Sequence, residues 1–324
     1  MGAAATPVRD YNDLQKNLAA AAIANELHQM ADGSAAYMKG LNAGSSGDTR
    51  RFESRGQVVI PKTANIYFLD GGRVYWDRSA GAGHYKKVND RDFYAGRAVG
   101  DAAAADTTMT INLNIDPPYD IDALRHGFLS VPTGTQAVGA FGYPKDLGDS
   151  KLLELTATNE AQCIDLLSVD RFALGANAIV EGIIRIPVNG SGAAVDFSLG
   201  VANGTSTTDA DAITESVFFH IDGGALDIYA ESDDGTTEVN ATDTTVDATA
   251  GSAVTNRFEF WIDMRDPSDC ILYINAVEVL HATANLGNIA LATGPFGLLA
   301  HLEKTAGTTT AQVIIDALRA RYSE

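Results

Sequence analysis

Six histidines, His28, His84, His126, His220, His281 and His301, are the side chains of this sequence best suited to proton transfer or metal ligation near neutral pH. They are widely scattered, and none stands at metal-ligand spacing from another. The sequence has no Walker loop, no GxGxxG, no HExxH and no GxSxG elbow. Two acidic groupings remain. The stretch "SDDGTTEVNATDTTVDATAG" crowds Asp233, Asp234, Glu238, Asp243 and Asp247 among threonines, the oxygen-rich kind of loop that suits Ca²⁺. Its spacing is not that of an EF-hand, and a solvated loop is the plainer reading in an acidic chain. The second grouping is Glu215, His220 and Asp222 with Glu259 and Asp263, near the ends of strand candidates. Carboxylates facing each other across ~5–9 Å could cleave a glycosidic bond. Trp261, in "FEFWIDM", alternates with acids and reads as a core aromatic more than a sugar platform. The expectation is a chain that is not an enzyme, with no catalytic residues, no cofactor and no resident metal.

The elements that would position such groups are short strands. The chain has 324 residues, 45% hydrophobic, with 31 glycines and 8% aromatics. That mixture suits a mainly β protein of two domains. The net charge of −19 is uneven: residues 1–150 hold 15 Lys/Arg against 17 Asp/Glu, whereas residues 151–324 hold 8 against 25. So acidic a second half excludes nucleic acid as its partner, because that contact needs basic surface. The start of the sequence lacks the pattern of a signal peptide, and no apolar run is long enough for a membrane span. A protein made in the cytoplasm should then keep Cys163 and Cys270 reduced and buried.

Four segments are expected. Residues 1–45 form an arm with an Ala-rich helix, capped by Asn12 or Asp13 and stopped by Gly33. Residues 46–118 form a small β module. In it "NIYFLDGGRVYWD" reads as a hairpin turning at Gly71-Gly72, with Ile66 and Phe68 on one face and Tyr67 and Leu69 on the other. "GQVVIPK", "FYAGRAVGDA" and "TMTINLNI" supply further strands. Residues 119–150, in a stretch rich in proline and glycine, read as a linker. Residues 151–324 read as an antiparallel jelly-roll β-sandwich, with eight candidate strands such as "AIVEGIIRIPV" and "ESVFFHID" and no fixed repeat period.

The β module resembles the small phage capsid decoration proteins over roughly residues 35–115. The resemblance is carried by Pro61-Lys62, a Gly turn, Val74-Tyr75-Trp76-Asp77, and the run from Gly96-Arg97-Ala98-Val99 to Leu113. It implies a small β-barrel or β-tulip form and a structural virion protein, a cement bound to the major capsid protein on the outer surface of a phage head. A homotrimer is implied as well, for which "LAAAAIANEL", residues 18–27, could pack near the axis. Arg50, Arg51, Arg55, Lys62 and Arg73 are then the candidate capsid contacts, with solvated surface charge as the plain alternative. The second half more loosely resembles concanavalin-like jelly rolls, through "NRFEFWIDMRDPSDCILYINAVEV" and "TAQVIIDALRARY". That fold serves sugar binders, hydrolases and structural modules alike. The alternatives are therefore a head fibre or receptor module binding host glycans, and behind it a glycan hydrolase.

Overall fold

The computed structural model describes residues 14–18, 26–39, 43–134, 145–190, 195–253, 256–280 and 286–322. The chain divides into two compact units, Met1–Pro118 and Tyr119–Glu324. Nearly all of its regular structure is strand. No helix among the described residues is long and apolar enough to cross a membrane.

The first unit holds two sheets. Strands β1 (Leu14–Asn17), β2 (Leu27–Gln29), β3 (Ala35–Lys39) and β4 (Thr49–Glu53) form one in the order β1-β4-β3-β2. Phe52, Met38, Ala36 and Leu18 pack together on it. The expected Ala-rich helix is corrected at both ends, which are the strands β1 and β2; residues 19–25 lie outside the described residues. Cross-strand pairing of β1 with β4 and β2 with β3 outweighs the helical preference of the flanking residues.

The second sheet of this unit contains β5 (Gln57–Pro61), β6 (Arg73–Asp77), β7 (Ala82–His84), β8 (Phe93–Ala98) and β9 (Thr108–Leu113), ordered β5-β9-β8-β6-β7. Its two edges meet: Lys62 bridges to Gly83, and the Thr63 amide donates to the Gly83 carbonyl at 3.0 Å. The sheet thus closes into a small barrel, as expected, around Ile60, Phe68, Val74, Trp76, Ile111 and Leu113. The Gly71-Gly72 hairpin is not formed. Gly71 does turn with φ +75°, but the stretch before it lies outside the ladder, with Phe68 bridged to Ala102 and Phe68 and Leu69 both buried. Strand β6 pairs with β7 and β8 instead.

The second unit is an antiparallel β-sandwich. One sheet runs β12 (Lys145–Leu147), β13 (Ser150–Leu155), β24 (Ala311–Arg321), β15 (Ala178–Val188), β20 (Phe258–Met264), β21 (Ile271–Ile274), β22 (Val277–Leu280), and β10 (Ile121–Asp122) also pairs with β24. The other runs β11 (Phe128–Thr133), β14 (Gln162–Ser168), β23 (Gly297–Lys304), β16 (Val195–Ala202), β17 (Glu215–Asp222), β18 (Asp227–Asp234), β19 (Glu238–Asp247). Between them lies one apolar core that includes Ile164, Leu199, Phe219, Phe260, Ile262, Phe296 and Leu318. The stretch read as a linker is corrected: β10, β11 and β12 belong to the two sheets. Prolines do not prevent this, because β11 stands at a sheet edge, where Pro132 is tolerated.

Candidate functional site

The seven-stranded sheet carries a polar outer face. Alternation sends Ile164, Leu302, Phe197, Phe219 and Ile221 into the core. The residues between them point the other way. Asp165, His301, Ser198, His220 and Tyr229 stand opposite one another on β14, β23, β16, β17 and β18. The next row on the same face holds Cys163, Glu303, Asp196 and Asp222. The loop between β16 and β17 covers part of this face. The Ser206 amide donates to Asp165 Oδ2 at 2.6 Å, and Ala210 and Ile213 pack on Leu167, Phe218 and Leu299.

The covered end holds a closed polar knot. His301 is 1% exposed, its Nε2 3.0 Å from Glu303 Oε2 and its Nδ1 3.8 Å from Asp165 Oδ1. Burial opposes a charge on this ring, but Asp165, Cys163 and Glu303 outweigh it and hold its pKa well above the ordinary value. Cys163 Sγ lies 3.7 and 3.8 Å from the two ring nitrogens. What distinguishes this arrangement is closure: Cys163, His301 and Asp165 are all buried, and the loop between β16 and β17 bonds to Asp165 over them. A Cys, a His and an Asp therefore meet here out of reach of solvent. Cys163 and Cys270 are both free and buried.

The other end is open to solvent. His220 sits between diagonal neighbours on adjacent strands, its Nδ1 2.9 Å from Glu231 Oε1 and its Nε2 3.3 Å from Asp196 Oδ1. Asp211 joins them from the short 3-10 helix Ala210–Ala212, whose N-cap Asp209 accepts from the Asp211 amide at 3.0 Å. Ligand atoms of Asp211, His220 and Glu231 all lie within 4.8 Å of one another. Burial disfavours a charged His220, but the carboxylates of Asp196 and Glu231 prevail and push its pKa up to about 10. Asp211 is pushed up to about 7, first by its facing Glu231 carboxyl group and then by burial. A shallow cleft beside Asp211 and Glu231 is lined by Phe218, Glu238 and Asn240.

The grouping expected from sequence is not assembled. Glu215, His220 and Asp222 stand on β17, whereas Glu259 and Asp263 stand on β20 of the opposite sheet, with the filled core between. Glu215 accepts from the Thr293 amide and hydroxyl and the Gly294 amide. Glu259 accepts from Trp261 Nε1 at 2.9 Å, and Asp263 pairs with Arg265. Trp261 is buried, on the face of β20 opposite to the core residues Phe258, Phe260 and Ile262.

The Asp-rich stretch is likewise not one loop, since most of it is the edge strand β19. Asp233, Asp234 and Asp243 each cap a nearby backbone amide. Asp196, Asp211 and Glu231 were the residues that sequence reasoning missed. The signal for Asp196 and Glu231 is a polar residue recurring on one parity of "VDFSLGVA", "ESVFFHID" and "DIYAESDD", whereas Asp211 comes from the loop before β17 and has no such signal.

The five basic residues of the first unit are dispersed. Arg51 and Arg55 are exposed, and Arg50 reaches Asp48 at 2.9 Å and the Ala43 carbonyl at 3.0 Å. Lys62 is a correction. It is 6% exposed and its ammonium donates to the carbonyls of Thr63 and Ala104, so it braces the barrel rather than facing a partner. Arg73 stands on the barrel exterior opposite Arg97, next to a Tyr75–Tyr94 edge contact of 5.6 Å.

No family model matches the chain, and no curated protein matches it. Among solved structures, the Emp47p carbohydrate recognition domain is 11% identical, with 61% of this chain and 89% of that chain covered and a TM-score of 0.40. The catalytic domain of an endo-1,3-beta-glucanase (laminarinase) from Thermotoga petrophila is 11% identical, with 54% and 78% covered and a TM-score of 0.39. A glycosyl hydrolase family protein from Mycobacterium fortuitum is 15% identical, with 53% and 74% covered and a TM-score of 0.38. At TM-scores this low, the likenesses carry no argument about what this chain binds or does.

Proposed function

We propose that the chain is a displayed binding protein, in which the sandwich is the recognition head and residues 1–118 are the attachment unit. The observation that carries this reading is the outer face of the seven-stranded sheet. It lines up carboxylates, imidazoles and Tyr229 across five strands and leaves one end open. A hydroxyl-rich ligand such as a glycan suits it, because carboxylates and imidazoles satisfy hydroxyls in pairs. The reading is non-catalytic: the covered Cys163–His301 pair has no access, and the carboxylates first suspected stand on opposite sheets. In the phage setting that the resemblance implies, this is a head fibre or receptor module on the outer capsid surface. A glycan array probed with the full chain tests it. Binding to a restricted set of glycans, weakened by Asp222→Asn and Tyr229→Ala, is expected; an array with no bound glycan refutes it.

A second reading, a trimeric capsid cement, rests on the barrel exterior. Arg73 and Arg97 lie side by side there, with Tyr75, Tyr94 and a Val59 that is 60% exposed. Two guanidinium groups beside aromatic and aliphatic surface suit an acidic protein partner such as a shell. The double variant Arg73→Glu, Arg97→Glu should lose sedimentation with empty heads. Unchanged sedimentation excludes this face as the contact.

A further inference from the structure

We propose that Asp211, His220 and Glu231 form a binding site for a divalent transition cation of the Mn²⁺ and Zn²⁺ class, with Asp196 orienting the imidazole. The argument starts from Glu231. It is 3% exposed, and no donor reaches either carboxylate oxygen in good hydrogen-bond geometry; its near neighbours are the His220 ring and the Asp211 carboxyl group. Oε1 is 2.9 Å from His220 Nδ1 but lies off the direction in which a ring N–H would donate. A buried carboxylate without hydrogen bonds is costly, and a cation removes that cost. The group is not merely acidic, because His220 brings a nitrogen ligand.

The imidazole is also arranged as a ligand. Nε2 lies 3.3 Å from Asp196 Oδ1, which leaves Nδ1 as the ring nitrogen on the side of Glu231 and Asp211. A carboxylate behind a ligating histidine fixes its tautomer and raises its basicity. The three ligand atoms are within 4.8 Å of one another. Bonds of ~2.1 Å hold ligands at most ~4.2 Å apart, so a small closure suffices. One nitrogen and two carboxylate oxygens suit Mn²⁺ or Zn²⁺ better than Ca²⁺, which takes oxygen ligands. Asp211 is exposed, which gives the ion an entry and leaves positions for water or a ligand oxygen. The inference does not rest on the glycan reading, since the carboxylates would hold an ion whether or not a sugar binds.

The test uses the full chain, stripped of metal with a chelator and then removed from it. Mn²⁺ is titrated and followed by the loss of its free six-line EPR signal, and Zn²⁺ by calorimetry. One ion per chain is expected. Glu231→Gln and Asp211→Asn should each weaken binding at least tenfold, and Asp196→Asn about 10–100-fold. Glu238→Gln, in the same cleft but outside the ligand set, should bind as the parent does. No stoichiometric binding of either ion, or binding unchanged in both Glu231→Gln and Asp211→Asn, overturns the proposal. So does uptake of Ca²⁺ in preference to Mn²⁺ and Zn²⁺. Asp211 lies on the exposed loop, so its variant keeps the test valid if Glu231→Gln fails to fold.

Discussion

Lys304→Met should loosen the sandwich by about 3 kcal/mol. Lys304 ends β23 on the core side of the alternation, and its ammonium is turned onto four backbone carbonyls. These are Thr156 at 2.5 Å, Thr158 at 2.8 Å, Gly307 at 3.1 Å and Thr309 at 3.3 Å. One buried charge thus ties the loop after β13 to the loop before β24. Hydrogen bonds to a charged group are worth about 1.5–3 kcal/mol each. Only the two shorter ones deserve that figure, and the cost of desolvating the ammonium offsets part of it. Methionine keeps the stem packed but leaves the carbonyls without a donor. Thr158 is exposed and the other three are half-buried, so water replaces much of the loss. A net of about 2–4 kcal/mol follows. For a unit of this size each kcal/mol shifts Tm by about 2–4 °C, so the variant should melt roughly 6–12 °C lower.

The assay is built into the chain, which has one tryptophan per unit, Trp76 in the first and Trp261 in the second. In a Trp76→Phe background, Trp261 fluorescence reports the sandwich alone. Lys304→Arg should recover part of the loss, because a guanidinium still donates to several carbonyls. A shift under about 1 °C in Lys304→Met would refute the reasoning, since the four contacts would then contribute nothing net.

Gly200→Ala should be costly although Gly200 lies in regular strand, because its Cβ would stand 2.2 Å from the Val217 carbonyl oxygen on the paired strand. A loss of about 3 kcal/mol, at the upper end for overpacking, should lower the urea midpoint. Asp316 accepts from Arg185, Arg257 and Ser150, and these donors outweigh burial and hold its carboxyl below the usual value. Its contribution is therefore full above the unfolded pKa of about 3.9 and is lost as pH falls through the folded one. Asp316→Asn should cost about 2–3 kcal/mol at neutral pH, less than a fully buried pair because Arg257 is 44% exposed, and should flatten stability below about pH 4. Identical acid-unfolding curves for variant and parent would contradict this. Cys163 and Cys270, both buried, with the Cys270 thiol pKa pushed up by burial, should resist a thiol reagent until the chain unfolds. Fast labelling of the native chain would contradict it.

Strands with one wet face were legible in the sequence. The period-two runs from residue 178 onward became β15 to β18, β20, β23 and β24, and "CILYINAVEV" became β21 and β22, split where Asn275 and Ala276 both take positive φ. Strand β14 was not legible, because "QCIDLLS" is buried on both faces and shows no alternation. Strand β19 was hidden for the opposite reason: its "EVNATDTTVD" is polar on both faces, as an outer edge allows. The barrel was readable as strands, but Gly71-Gly72 was assigned the wrong partner because the sequence does not show that Phe68 bridges to Ala102. The open cluster had one visible member, His220. Its companions come from β16, β18 and the intervening loop, and only the register of three strands brings them together.

The placement of β24 has a consequence for biosynthesis. This strand is the last of the sandwich to be translated, yet it lies inside its sheet, between β13 and β15 and paired also with β10. Until it arrives, that sheet is two fragments, β12-β13 and β15-β20-β21-β22, and β10 has no neighbour. At about 5–20 residues per second, the roughly 200 residues between Ile121 and Arg321 take about 10–40 s to emerge. For that interval the nascent chain carries an uncovered apolar sheet face and two unpaired strand edges, while the barrel ahead of it can already have closed. Slower translation up to the final strand should lengthen that exposure and lower the yield of native protein.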